Sequence, residues 1–549
     1  MIDLPDTCDL VIIGGGVTGA GIFYETAHLG LRVVLIEQHD FAWGTSSRSS
    51  KLIHGGLRYL KEGHVLLTRD AVKERERLLR EAPGLVTPLA FVVPIYKDRA
   101  PGRWTLEAGL SLYDLLAAKR RHRFLKPEEI VAQVPFIERK ALIGGFEFWD
   151  AQVDDARLVL RLISEGRLAG GHAFNYTAAL SIDRDANGPV IGVTLQDVET
   201  LDVRSIRSSA VINATGYWAE RLHPQTNLKK RLRPLRGSHL VFPSNVLPVE
   251  CAVSFMHPRD KRAVFVLPWE GAVLVGTTDL DHQPDLNVEP TISETEADYL
   301  MEGVRALFPS LGLSLDQSIA SLAGLRSVIS GDSNLLPSEE SREHDIWTED
   351  GLVTIAGGKL TTYRRVALDA LKAAQPFLPK LGRVPAEGSG FDLAEPAPDL
   401  PGLDPVIWER LSGRYGPVAL RIVTDIPAAD LTYIPGTRTL WAELVYAAGH
   451  ESVRHLADLL LRRVRIGLLL PEGGKAHLPR IERLCRPALG WSKSRWRREV
   501  KQYMTHWQQA HGFSWMKPEA GIFNRILNAI NAKVKAIPYF QRIQPKKSP

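Results

Sequence analysis

Residues 9–37, DLVIIGGGVTGAGIFYETAHLGLRVVLIE, constrain the fold of this 549-residue chain more than any other stretch. Four apolar residues, Leu10 to Ile13, read as a buried strand and lead directly into Gly14, Gly16 and Gly19 at the spacing G-x-G-x-x-G. Residues 17–29 read as a helix that Gly30 closes, and residues 32–36 as a second apolar strand. In such a unit Gly14 permits the tight turn, Gly16 lets the backbone approach a pyrophosphate, and Gly19 lets the helix pack on the strand. The unpaired N–H groups and positive dipole at the helix start favour the anion. Glu37 ends the second strand, 37 − 14 = 23 positions after the first glycine, where a carboxylate holds a ribose hydroxyl pair. Together these residues predict a βαβ unit for an adenine dinucleotide and leave nicotinamide and flavin both open.

A chain of this length exceeds one hydrophobic core, so two or three domains are expected. Its 44% hydrophobic and 24% charged content is that of a globular protein, not a disordered or fibrous one. Cys8, Cys251 and Cys485 lie far apart and form no C-x-x-C. Neither an iron–sulfur cluster nor a structural zinc is signalled, no metal is expected, and a reduced cytosolic compartment fits. The first apolar run leads straight into the glycine motif rather than into a secretory h-region. No stretch approaches the ~18–20 apolar residues that span a bilayer. The net charge of +5 conceals an asymmetry. Residues 491–549 hold twelve Lys or Arg and two acids, Glu499 and Glu519, so they carry 12 − 2 = +10 and residues 1–490 carry 5 − 10 = −5.

Along the chain, residues 41–60 form a Gly-, Ser- and Lys-rich loop too polar for a core. Residues 65–79 read as a helix, residues 89–95 as a strand ended by Pro94, and the stretch from Trp104 to Phe124 as an apolar helix followed by Lys119, Arg120, Arg121, His122 and Arg123. Residues 210–212 read as a strand reaching the edge of the dinucleotide domain. Residues 262–279 read as two antiparallel strands turning at Trp269, Glu270 and Gly271. Residues 352–371 read as a strand, a glycine turn and a helix starting near Leu360. The layout predicts an α/β fold: a Rossmann-like domain assembled from residues 1–85, 145–225 and 320–380, with a mostly antiparallel β substrate domain of residues 86–144 and 226–319 inserted. A Pro/Gly-rich linker over 380–405 leads to an α-helical domain at 400–515 and a tail at 516–549. No internal repeat is found.

Five motifs in one order, GGGVTGAG at 14–21, TSSRSSKLIHGGLRYL at 45–60, VDDARLVL at 153–160, INATGYWA at 212–219 and GGKLTTYR at 357–364, resemble the FAD-dependent sn-glycerol-3-phosphate dehydrogenase family. The helical stretch LWAELVYAAGHESVRHLADLLLRRVRIGL at 440–468 is similar to that family's C-terminal domain, so the likeness runs from about residue 9 to about residue 470. The resemblance implies a Rossmann-like FAD domain with an antiparallel substrate domain, of the glycine-oxidase and D-amino-acid-oxidase type. It implies oxidation of sn-glycerol 3-phosphate to dihydroxyacetone phosphate, FAD as cofactor, hydride transfer from C2 to flavin N5, and a membrane quinone as electron acceptor. It implies no nucleic-acid partner, leaves a homodimer open, and places the protein in the cytoplasm against the inner face of the membrane.

Oxidising a secondary alcohol needs a hydride acceptor, a group to receive the hydroxyl proton, and cations for a dianionic phosphate. The family's pattern draws the substrate pocket from Arg58 and Tyr59, from His239 at the end of RGSH, from Arg326 in GLR, and from Lys359 in the GGK turn, with Arg342 as a further phosphate candidate. A guanidinium offers two parallel donors to two oxygens, and Lys359 adds a compact charge. His239, at the start of a strand read over residues 239–242, is the first choice as proton acceptor, because nearby cations keep an imidazole neutral. His54 competes for that role and is otherwise a flavin-orienting residue. The expected cofactor residues are Gly14, Gly16, Gly19, Glu37, Thr45, Ser46, Ser47, Ser50, Lys51, His54, Gly216, Gly358, Leu360 and Thr361. Arg157 reads as an interdomain ion-pair partner. The family follows its G-x-R with proline and leucine, whereas Ser327 and Val328 follow Arg326 here.

A peripheral enzyme must touch the bilayer without crossing it. On a helical wheel at about 100° per residue, Ile522, Phe523, Ile526, Leu527, Ile530, Val534 and Ile537 fall within roughly 140°, with Asn524, Asn528, Asn531 and Lys535 opposite. Flanking Arg525, Lys533, Lys546 and Lys547 suit an anionic lipid surface. The Trp104 to Arg123 stretch is the second candidate. The competing functions are a glycerol-3-phosphate oxidase using oxygen, an amino-acid or hydroxy-acid oxidase in which Arg326 holds a carboxylate, and a non-catalytic scaffold.

Overall fold

The most apolar strands sit at the centre of a six-stranded sheet. In the computed structural model, which describes residues 4–57, 60, 65–117, 121–222, 231–330, 344–378, 380–392, 397–398 and 403–516, Leu352–Gly357, Val211–Asn213, Leu10–Ile13 and Val33–Ile36 lie side by side and parallel. His172–Phe174 extends the sheet past Val33–Ile36, also parallel, and His344–Glu349 closes the opposite edge antiparallel. Leu10–Ile13 and Val33–Ile36 are buried at every residue, which is why they read as continuous apolar runs without alternation. Helices Val17–His28, Asp155–Leu168 and Tyr363–Ala374 pack together on one side, and Ile12, Ile22, Phe23, Leu158 and Ala367 form part of their solvent-free core. The second helix is capped by Asp154, whose carboxylate accepts the Arg157 N–H at 3.3 Å.

A second, larger sheet is mostly antiparallel. It runs through Leu280–Asp281, Arg231–Pro243, Ala272–Gly276, Ala263–Trp269, Ala252–Met256, Val86–Tyr96, Leu142–Val153 and Leu52–Ile53, and its single parallel pairing joins Ala252–Met256 to Val86–Tyr96 among the described residues. Ala320–Ser330 pairs along the whole of Arg231–Val241. Thus strands at 142–153 and 320–330, grouped by sequence mainly with the nucleotide-binding segments, pair in the antiparallel sheet and tie the two layers together. Three further strands, Thr177–Arg184, Val190–Asp197 and Val203–Arg207, make a small antiparallel sheet.

Three boundaries differ from the sequence reading. Pro94 does not end its strand, which continues to Tyr96. The neighbour Ala252–Met256 pairs only with Phe91 and Val92, so Pro94 lies where one side of the strand has no partner and a missing N–H is tolerated. The helix expected near Leu360 begins at Tyr363, because a turn closed by the Thr362 N–H to the Lys359 carbonyl (3.2 Å) precedes it. His239, expected at the start of a strand, lies well inside Arg231–Pro243.

The C-terminal helices Pro405–Tyr415, Trp441–His450, Leu478–Ala488 and Lys493–Ala510 belong to the same compact unit as the sheets, which runs to Gly512. Leu444, Leu459, Leu460 and Ile466 share one core with Phe91, Phe148 and Leu274 of the antiparallel sheet. Buried ion pairs add a second attachment. Asp40 takes Arg462 at 2.5 Å and Arg463 at 2.6 Å, Arg414 meets Asp154 at 3.1 Å, and Arg157 meets Glu451 at 2.5 Å. Arg157 therefore has the ion-pair role read from its motif. Beyond Gly512, the described residues 513–516 form a turn of their own, with the Met516 N–H donating to the Phe513 carbonyl at 3.0 Å. The tail helix read at 522–537 lies outside the described residues.

Candidate active site

The parallel strands end on one edge of their sheet, and the glycine turn is built there from backbone contacts too close for side chains. A Cβ on Gly14, whose φ is +113°, would lie 2.6 Å from the Ala214 carbonyl oxygen, and one on Gly19 would lie 1.9 Å from the Gly14 oxygen. Helix Val17–His28 starts after Gly16, which has no side chain to cap it. Its first N–H, on Val17, instead donates to Ser46 Oγ at 2.9 Å. Glu37 accepts from the Gly15 N–H at 2.7 Å and the His39 N–H at 2.8 Å. Burial pushes its carboxyl pKa up, partly offset by those two N–H donors. Thr45 Oγ1 donates to the Leu325 carbonyl, and Gly216 turns the chain with φ +65° just beyond Val211–Asn213.

These features fit an FAD pyrophosphate. The helix start presents N–H groups without a side-chain cap of its own, the Gly14 to Ala214 approach keeps the turn narrow, and a hydroxyl rather than an acid occupies the helix mouth.

The antiparallel sheet brings a second group of residues together. His239 pairs with Gly276 on one side and Leu322 on the other. A Cβ at Gly276 would lie 2.2 Å from His239 Cδ2, so the ring takes the space that a side chain at that glycine would need. Two residues along the same strand, a Cβ at Gly237 would lie 2.5 Å from Arg326 Nη2. Alternation along a strand puts residues 237 and 239 on one face, so guanidinium and imidazole share it. Arg326 is positioned by Asp279 Oδ1 at 2.8 Å and Thr277 Oγ1 at 3.1 Å. Strand pairing continues through Ser327 and Val328, opposite Pro234 and Arg233, so the departure from proline and leucine leaves the arginine on a regular ladder.

His239 is 1% exposed. Its Nε2 is 2.9 Å from Ser50 Oγ, and its Nδ1 is shielded from solvent without a hydrogen-bond partner among the described residues. Burial first, then the charges of Arg326 and Lys51, hold its pKa down to about 3, so the ring is neutral. Lys51 is also buried, with Nζ 2.7 Å from Asp155 Oδ2 and 2.8 Å from the Ser47 carbonyl. Burial lowers its pKa to about 8 against the opposing pull of Asp155. The lysine read as a cation over the cofactor thus has its charge matched by a carboxylate. The His54 backbone N–H donates to Thr361 Oγ1 at 3.2 Å, and that hydroxyl lies 3.3 Å from the His54 carbonyl, which pins the loop to the glycine turn. In that turn Gly358 has φ +90° and Lys359 and Leu360 are half-buried.

The structure therefore gathers Ser50, Lys51, His239 and Arg326 into one cluster, and Gly14, Gly16, Gly19, Glu37 and Ser46 into another. Arg58, Tyr59 and Arg342 lie outside the described residues. Asp155, Asp279 and Thr277 escaped the sequence reading. Asp155 stood inside the quoted VDDARLVL, but nothing in one dimension joins it to Lys51, 155 − 51 = 104 residues earlier.

Comparison with known proteins gives the site a family. The model for FAD dependent oxidoreductases matches residues 9–364, and the model for the C-terminal domain of alpha-glycerophosphate oxidase matches residues 354–496. An aerobic glycerol-3-phosphate dehydrogenase of Staphylococcus haemolyticus is 32% identical over 481 residues, covering 83% of this chain and 86% of the relative. Its counterpart in Staphylococcus aureus is 33% identical over 484 residues, with the same coverage of 83% and 86%. The X-ray structure of a glycerol-3-phosphate dehydrogenase from Bacillus halodurans complexed with FAD superposes with a TM-score of 0.72 at 27% identity, covering 93% of this chain and 97% of that one. An L-α-glycerophosphate oxidase from Mycoplasma pneumoniae with FAD bound shares the fold at a TM-score of 0.55 and 19% identity, over 68% of this chain and 95% of its own. FAD is the cofactor of this D-amino-acid-oxidase-type fold. The chain belongs to the FAD-dependent aerobic glycerol-3-phosphate dehydrogenase family.

Proposed function

We propose that this enzyme oxidises sn-glycerol 3-phosphate to dihydroxyacetone phosphate and passes the electrons to a membrane quinone. The observation that carries the chemistry is the shared face of His239 and Arg326, a neutral buried imidazole beside a guanidinium fixed by Asp279. FAD, held by the glycine turn and the Thr45–Lys51 loop, would supply the two-electron acceptor for the C2 hydride. His239 receives the hydroxyl proton. Its neutral ring has a lone pair to offer, and a dianionic phosphate nearby raises its proton affinity once substrate is in place. Ser50 fixes the ring through Nε2. Arg326 and Lys359, with Arg58, Tyr59 and Arg342 of the family's pattern, are the candidates for binding the substrate phosphate, and that number of basic side chains favours phosphate over carboxylate. Gly14, Gly16, Gly19, Glu37, Thr45, Ser46, Ser47, Ser50, Lys51, His54, Gly216, Gly358, Leu360 and Thr361 form the cofactor cradle.

Helix Arg103–Ala117 supports a membrane-facing role. Among the described residues no helix is long and apolar enough to cross a bilayer. Yet this helix turns Trp104 outward at 77% exposure and Leu115 at 74%, and it packs against the helix Val65–Glu81, whose Leu66 is 72% exposed. Such a patch, with Arg103 and Arg121 nearby in sequence, suits an interface of anionic lipid.

Anaerobic addition of glycerol 3-phosphate to the yellow enzyme is expected to bleach the flavin, and a soluble quinone analogue to restore it faster than oxygen does. Stoichiometric peroxide without quinone reduction would make it an oxidase. Bleaching by amino acids or hydroxy acids, but not by the phosphate, would overturn the substrate. Binding to anionic vesicles should weaken with salt and with Trp104→Ser/Leu115→Ser.

A further inference from the structure

Glu289, in the loop after Leu280–Asp281, meets two histidines from the end of the polypeptide's compact unit, His506 in helix Lys493–Ala510 and His511 just beyond it. His506 Nε2 lies 3.3 Å from Glu289 Oε2, and His511 Nε2 lies 3.7 Å from Glu289 Oε1. The ligand-type atoms of all three residues fall within 4.8 Å of one another. A tetrahedral zinc with ligands at about 2.0–2.1 Å sets them roughly 3.4 Å apart, and each histidine already stands near that spacing from one oxygen of the same carboxylate. The three ligand atoms, one from each residue and all within 4.8 Å of one another, close to that geometry by rotation of the carboxylate and of the His506 ring, whose side chain is 35% exposed.

The tautomer of His511 points the same way. Its Nδ1 lies 2.9 Å from the Ser321 carbonyl oxygen. A carbonyl only accepts, so Nδ1 carries the proton and Nε2 turns a lone pair towards the Glu289 carboxylate. This is the arrangement of a metal-bound histidine, in which the outer nitrogen donates to a carbonyl and the inner one faces the ion. That lone pair lies 3.7 Å from Oε1 of the carboxylate. The carboxylate is held from behind by Arg48, with Nη2 2.8 Å from Oε1, which leaves Oε2 towards His506. A groove lined by Arg498, Lys501, Gln502, Thr505, His506 and Gln509 opens the His506 side to solvent, so water can complete the coordination.

We propose that Glu289, His506 and His511 bind one divalent transition metal of the zinc class, with water as fourth ligand. The ion fastens the last helix of the compact unit to the 283–293 loop, and through Arg48, whose Nε also donates to the Trp43 carbonyl at 3.1 Å, to the loop that carries Thr45 to Lys51. Cysteine spacing could not signal it: the ligands are 506 − 289 = 217 residues apart in sequence, and none is a cysteine.

The test uses the full-length, FAD-loaded enzyme, stripped with a chelator and titrated with Zn²⁺ alone. About one equivalent of zinc is expected to survive gel filtration and to raise the unfolding midpoint. Co²⁺ in its place should give tetrahedral d–d bands to the red of the flavin absorption. His506→Gln, at a partly exposed position that tolerates the change, should lose the retained metal, the midpoint shift and the cobalt bands while keeping its flavin; Glu289→Gln should do the same. His172→Gln, on an exposed residue of the parallel sheet's edge strand, should change none of these. No zinc retained by the wild type, or zinc and cobalt signals unchanged in His506→Gln, would overturn the assignment, the latter marking adventitious binding elsewhere.

Discussion

Asp40→Asn is expected to destabilise the enzyme far more than an isosteric change normally does. Asp40 is fully buried, with Oδ2 at 2.5 Å from Arg462 Nε and 2.6 Å from Arg463 Nη1, and Oδ1 at 2.7 Å from Arg463 Nη2. Removing one partner of a buried ion pair costs ~3–5 kcal/mol, because the other charge stays behind without compensation. The two arginines are not affected equally. Arg462 keeps Asp458 Oδ1 at 2.5 Å, whereas Arg463 keeps the Glu451 carbonyl at 2.9 Å and Ser452 at 3.5 Å, neither of them charged. Most of the penalty therefore belongs to Arg463, and Asp40→Asn/Arg463→Met should recover the greater part of it. In urea titrations followed by tryptophan fluorescence and flavin release, the single variant should unfold at much lower denaturant than the wild type, with the double variant in between. Burial alone would raise the Asp40 carboxyl pKa, but Arg463 and Arg462 overcome it and hold it well below the ordinary range. A depressed carboxyl contributes stability above its unfolded pKa of about 3.9 and loses it only below, so the gap between wild type and Asp40→Asn should stay level from about pH 5 to 8. A double variant as unstable as the sum of the singles, or a single variant within ~1 kcal/mol of wild type, would refute the orphaned-charge argument.

In anaerobic flavin reduction, His239→Ala should lose ~10²–10⁴-fold in rate with FAD retained, while His54→Ala stays near wild type; the reverse pattern would move the base to His54. Ser50→Ala removes the 2.9 Å hydrogen bond to His239 Nε2, a loss of ~1 kcal/mol or roughly fivefold in kcat/KM per bound flavin; full activity would show that the bond does not orient the ring. Because the native His239 pKa lies near 3 and the unfolded value near 6.5, the unfolded chain takes up a proton first on acidification. Stability should therefore fall by up to ~1.4 kcal/mol per pH unit between about pH 6 and pH 3, and His239→Asn should remove that slope in acid-unfolding titrations. Gly276→Ala, whose methyl would lie 2.2 Å from His239 Cδ2, should displace the imidazole; wild-type flavin reduction by this variant would mean that the ring need not lie over the strand.

The legible parts of the fold were those whose physics is local. The two strands flanking the glycine motif are apolar on both faces, so a continuous run of four residues was enough to place each, and Gly30 with φ +76° closed the helix between them. The hairpin with Ala263–Trp269 and Ala272–Gly276 declared itself through Glu270 and Gly271, both at positive φ in the structure. Helix Arg103–Ala117 was visible as an apolar stretch, but not which leucines face in: Leu110 is solvent-free while Leu115 stands out. Within the site, the sequence named His239, Arg326, Ser50 and Lys51 separately. It gave no sign that Ser50 touches His239, that Asp155 neutralises Lys51, or that Asp279 holds Arg326, because each pairing depends on strand register and on a loop crossing between sheets.

By itself the sequence determined the dinucleotide-binding βαβ unit, the family likeness and the residue types available for alcohol oxidation, since glycine spacing and apolar runs act over distances of a few residues. Only the tertiary structure decided which charges are spent on one another and which face the site. Asp40 with Arg462 and Arg463, Lys51 with Asp155, and Glu289 with His506 and His511 are brought together by layers that pack long after their sequences diverge. Burial then fixes their ionisation, since a charge removed from water is kept only where a partner meets it.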